Sequence, residues 1–113
     1  MPEPPGWRST RSLSVISIDA RRFGLGPAAL REALAAADIE ARRVHEPMHR
    51  LPAFAGYRAI GGEVAEELAA QALCLPSGSQ LGVEGSARVI EVIRAAHRRA
   101  RPRISVGSTR RSA

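Results

Sequence analysis

Two histidines, His45 and His49, lie four residues apart with Pro47 between them. On an unbroken helix that spacing would aim both imidazoles at one ion. A proline inside the run removes a backbone N–H and clashes with the turn before it, so a helical metal pair is excluded. No group of carboxylates and cysteines at ligand spacing accompanies them. His49, however, sits in a loop bounded by Pro47 and Pro52. Stiff loops place binding side chains well, so His49 reads as a polar contact to a substrate. From the residues alone, a histidine hydrogen-bonded inside the fold is the reading favoured over that contact.

The other reactive residue types offer less. Cys74 is the single cysteine, so no internal disulfide forms. Its neighbours Leu73 and Leu75 mark it as a small buried hydrophobe rather than a nucleophile. Ser77-Gly78-Ser79 lacks the glycine and lysine spacing of a phosphate loop. It reads as a tight turn, with Gly78 at positive φ and the serines bonded to their own backbone. His97 stands among arginines and reads as a solvated residue at the end of a helix. All 17 basic residues are arginine, and the chain contains no lysine. Arginine stays protonated, so chemistry that needs a free side-chain amine is closed to these residues.

The elements that must position these groups follow from pattern. Residues 1–11 are a proline-rich lead-in. Leu13 to Ile18 is β-branched and partly alternating, which predicts a strand. Arg21 to Gly26 reads as a loop, and Pro27 suits the first turn of a helix, where its missing N–H costs nothing. Leu30, Ala33, Leu34 and Ala37 form one helical stripe. Ile39 to His45 is a weaker strand candidate. Glu46 to Tyr57 carries Pro47, Pro52 and Gly56 and is too interrupted for regular structure; irregular loops of this length are often functional. Gly61-Gly62 opens a helix over Glu63–Ala72, its apolar side drawn by Val64, Leu68 and Ala72. The acidic Glu63, Glu66 and Glu67 complement the dipole of its first turns. Leu73 to Leu75 is a short strand ended by Pro76. A last helix spans about Glu84 to Arg98, with Val89, Ile90, Ile93, Ala96 and His97 on its stripe. Short strands alternating with amphipathic helices predict an α+β fold, a small two-layer domain over residues 12–98.

With 113 residues the chain holds one domain at most. Its formal charge of +6 is concentrated at one end. Seven arginines and no acidic residue follow position 93, whereas residues 1–93 carry ten arginines against 11 acidic residues. Residues 99–113 therefore read as a basic disordered tail. Such a tail can bind nucleic acid through counterion release, but no aromatics interleave the arginines as single-strand binding requires. No apolar run reaches the length of a membrane span, and residues 1–12 lack the apolar core of a signal peptide. A cytoplasmic location is the expectation.

Three segments carry a family resemblance: PGWRSTRSL before the first strand, IEARRVHEPMHRLPAF after the first helix, and GGEVAEELAAQALCLPSGS. From Gly6 to about Ala96 the chain resembles the end of the DegT/DnrJ/StrS family of sugar aminotransferases, which use pyridoxal phosphate. The resemblance implies the small C-terminal domain of a fold-type I enzyme, whose larger domain carries the cofactor and the catalytic lysine. It places His49 near a nucleotide-sugar pocket, with Arg42 and His45 as further substrate-binding candidates. It assigns no catalytic, cofactor-binding or metal-binding residue here. Similar proteins commonly have Trp and Lys where this chain has His45 and Glu46, and Gln at Leu51. They have a helix-ending Gly at Asp38, and Thr and acidic caps at Gly82 and Gly85.

Pyridoxal phosphate enzymes of this kind hold the cofactor as a Schiff base on a lysine amine. A chain without lysine is expected to be inactive by itself and to bind no pyridoxal phosphate alone. The leading expectation is therefore a C-terminal fragment of such an aminotransferase. The first alternative is a small subunit whose partner is a separately encoded large domain or a homologous aminotransferase subunit. The second, ranked below both, is a nucleic-acid-binding protein acting through its arginine tail.

Overall fold

The computed structural model describes residues 3–10 and 12–101. The arginine-rich segment after Arg101 lies outside the described residues. Strand β1 is Ser14–Ser17, followed by a short helix α1, Ala20–Phe23, and by α2, Pro27–Ala35. Strand β2 is Arg42–Arg43, helix α3 is Glu63–Gln71, strand β3 is Ala72–Leu75 and helix α4 is Gly82–Ala100. The described residues thus form a mixed α+β domain with four helices and a three-stranded antiparallel sheet.

The sheet order is β1-β3-β2, so the last of the described strands lies in the middle. Val15 and Arg42 both oppose Cys74, while Ile16 and Arg43 both oppose Leu73. Side chains alternate across a sheet, so Leu73 and Cys74 face opposite ways. Leu73 is fully buried in a core formed with Ile18, Leu30, Leu34, Ile39, Val89 and Ala96. Helices α2 and α4 pack on each other, and α2 also packs on β3. On the other side of the sheet Val15 stays half exposed, and Cys74 is half-buried rather than enclosed.

The stripe expected on α2 is the observed one: Leu30 and Leu34 are buried, with Ala33 and Ala37 packed against the core. Pro27 does occupy the first turn of α2. Elsewhere the elements shift. Arg21 to Gly26 is only partly loop, because the Asp19 carboxylate accepts from the N–H groups of Arg21 (2.9 Å) and Arg22 (3.2 Å) and starts α1. Gly24, at φ 96°, ends α1 by donating to the Ala20 carbonyl at 2.9 Å. The strand candidate Ile39–His45 shrinks to Arg42–Arg43. Ile39 is used as a core plug, and its N–H closes the end of α2 on the Leu34 carbonyl at 3.0 Å. Asp38 bridges that turn at φ 54°, the left-handed conformation in which glycine is usual.

Helix α3 is rotated from the expected phase. Val64 and Leu68 are 71% and 53% exposed, and the inward positions are Gly62, Glu66 and Ala69. The chain runs from α3 directly into β3, so the helix phase is tied to burial of Leu73. Helix α4 extends two residues beyond the expected span at each end. The turn before it also differs: positive φ falls at Gly82 (62°), not at Gly78. The Ser77 hydroxyl reaches across to donate to the Ser12 carbonyl (3.0 Å), instead of bonding its own turn.

Candidate functional site

The loop between β2 and α3 is built from two single 3₁₀ turns, Met48–Arg50 and Pro52–Phe54. Pro47 and Pro52 fix φ at the entry to each, and short backbone bonds close them: Arg50 N–H to Pro47 O at 2.9 Å, and Phe54 N–H to Leu51 O at 2.9 Å. The Phe54 and Tyr57 rings meet at 6.2 Å, stiffening the far end. His49 thus leaves a rigid turn. Its ring lies against Gly62, which holds φ 119° at the start of α3. A Cβ at Gly62 would stand 2.6 Å from His49 Cε1, so only glycine fits both the backbone and the ring.

One turn into α3, Glu66 faces the same ring. His49 Nε2 and Glu66 Oε1 are in hydrogen-bond contact at 2.8 Å, and Arg50 Nη1 donates to Oε2 at 3.2 Å. The His49 hydrogen bond holds the Glu66 carboxyl below its usual range; partial burial opposes this, and the Arg50 and His49 charges add to it. Two side chains from one turn, His49 and Arg50, therefore converge on the half-exposed Glu66 carboxylate of α3. Beside them, Arg43, Glu46, Glu67 and Ala70 complete a shallow cavity of about 360 Å³ with Arg50 and Glu66. Its lining is mixed in charge, suited to a polar ligand and not to a bulk anion.

Of the three substrate-binding candidates, only His49 stands in this constellation. Arg42 is exposed on β2 and donates twice to Glu40 Oε1, with Nε and Nη2 each at 2.7 Å. His45 is exposed beyond the end of β2, and neither residue is hydrogen-bonded to His49 among the described residues. Arg43, the neighbour of Arg42, is the strand arginine that lines the cavity. Glu66 was legible only as an acidic residue in a first turn; nothing local in the sequence links it to a histidine 17 positions earlier.

His97 is not a solvated end residue. It is half-buried, its Nδ1–H donates to the Phe23 carbonyl at 2.6 Å, and its ring stacks on Phe23 at 4.9 Å. That contact sits beside an open cavity of about 740 Å³ whose floor is Ile16, Ile18, Leu30 and Ile93 and whose rim carries Arg21, Arg22 and Arg101. Among the described residues no group of three His, Cys, Asp or Glu could hold a metal ion, and no helix is long and apolar enough to cross a membrane.

The chain belongs to the DegT/DnrJ/EryC1/StrS aminotransferase family, whose model matches residues 2–94. Over 97 residues it is 36% identical to the putative pyridoxal phosphate-dependent aminotransferase EpsN of Bacillus subtilis (strain 168). That alignment covers 82% of this chain and 24% of the relative, so the chain spans about a quarter of that protein's length. No solved structure matches it. A Schiff base to the family cofactor needs a lysine amine, and the sequence has no lysine to form one.

Proposed function

We propose that residues 12–98 are the small C-terminal domain of a fold-type I nucleotide-sugar aminotransferase, and that the cofactor and its lysine are supplied by residues outside these 113. The observation that carries this is the coincidence of a family match over residues 2–94 with the absence of lysine. These residues then contribute substrate contacts, with His49 as the main one and Arg42 and His45, outside the His49-Glu66 constellation, as lesser ones. The apolar side chains left outside the core, among them Leu13, Val15, Val64 and Leu68, support a missing neighbour. The partner is a large catalytic domain, either joined in one polypeptide or encoded separately as the larger subunit.

The test uses the chain alone and then in reconstitution. Alone, with pyridoxal phosphate and an amino donor, it gives no turnover and no borohydride-trapped side-chain adduct. Mixed with the separately expressed large domain of a homologous aminotransferase, it forms a complex that transaminates. Turnover by the isolated chain, with the cofactor trapped on one specific side chain, would overturn the proposal.

A further inference from the structure

The His49 ring is confined by two groups that leave it one arrangement. Glu66 is held ionised by its contacts, and an ionised carboxylate accepts hydrogen bonds but has none to give. The proton in the 2.8 Å contact between Glu66 and His49 therefore belongs to Nε2. In the neutral ring Nδ1 is then the bare nitrogen. Among the described residues nothing hydrogen-bonds to it. Gly62 closes the opposite constraint: a Cβ there would come within 2.6 Å of Cε1 and 3.3 Å of Nδ1, pushing the ring off the carboxylate.

We infer that Glu66 and Gly62 are positioning residues that lock His49 in its Nε2–H tautomer and present Nδ1 as a hydrogen-bond acceptor. The ligand group that suits such a nitrogen is a donor, a hydroxyl or an amine N–H on a polyol or sugar. A fully ionised oxyanion has no proton to offer it. That choice of ligand rests on the reading of His49 as a substrate contact; the tautomer itself does not.

The test is ring-nitrogen NMR on the full, uniformly ¹⁵N-labelled chain. At a pH where the rings are neutral, His49 shows a protonated Nε2 and a bare Nδ1. His97 shows the reverse, because its Nδ1–H is committed to the Phe23 carbonyl, and so reports an intact fold in every sample. Glu66→Ala moves His49 to the mixed tautomers of free imidazole and leaves His97 unchanged. Gly62→Ala does the same with the carboxylate still present, whereas Arg50→Ala leaves the His49 pattern in place. A bare Nε2 on His49 in the unmodified chain, or a His49 pattern that neither Glu66→Ala nor Gly62→Ala moves, overturns the inference. Because the spectra come from the isolated chain, their failure is distinct from a failed reconstitution.

Discussion

The α2-α4-β3 core and the His49-Glu66 corner are held by different physics. The core is aliphatic and repetitive: Leu30, Leu34 and Leu73 are fully buried, and each neighbour can shift slightly to accommodate another. The corner depends on a few directional contacts: one carboxylate with two donors and a glycine that must lack a Cβ. Burial of a leucine is worth about 1.5–3 kcal/mol, whereas a half-exposed ion pair is worth little and is screened by salt. Stability therefore resides in the first region, and directional contact geometry in the second.

Breaking that division should be easiest at Leu73. Leu73→Ala leaves a cavity at the centre of the sheet and is expected to cost about 2–5 kcal/mol, read from the urea midpoint. A cost below about 1 kcal/mol would mean that the core does not carry the fold. Asp38→Gly tests the boundary of the core in the opposite sense. Relieving the left-handed strain at φ 54° is expected to raise stability by up to about 1 kcal/mol, with no change at His49. The smallest effect belongs to the corner itself. The Glu66 carboxyl titrates lower in the folded chain than in the unfolded one, so its contribution is present above the usual carboxylate range. It is lost as pH falls through the folded value. The difference in urea midpoint between the unmodified chain and Glu66→Gln should therefore be small at neutral pH, shrink on acidification and shrink in high salt. A difference that grows as pH falls would reverse the assignment.

How much could be read from the sequence follows the same division. The α2 stripe was legible because Leu30, Ala33, Leu34 and Ala37 repeat at helical spacing, a property of neighbours along the chain. The α3 face was misread for a related reason. Val64 and Leu68 have the right spacing, but the helix phase is dictated by where β3 must put Leu73, which spacing inside α3 cannot reveal. His49 was legible as a candidate because prolines flank it. Its partners were not, since Gly62 and Glu66 reach it only through the tertiary path of the loop. His97 was missed likewise: its acceptor, the Phe23 carbonyl, is 74 positions away. Asp38 is the instructive middle case, where a departure from a usual glycine turned out to mark a left-handed residue.

The strand order has a consequence for how the chain comes into being. Among the described residues both β1 and β2 pair only with β3, and β3 ends at Leu75. As the polypeptide emerges from the ribosome, the first two strands have no mate for dozens of residues, and no hairpin can form to shelter them. Every pairing in the sheet then arrives with the same four residues, Ala72 to Leu75. Assembly of the sheet is a single late event of long sequence separation, the kind that slows folding and leaves strand edges open meanwhile. A polypeptide halted before Ala72 would lack the strand that every described pairing needs, and one released just after Leu75 would hold all three strands but not α4 and its share of the core.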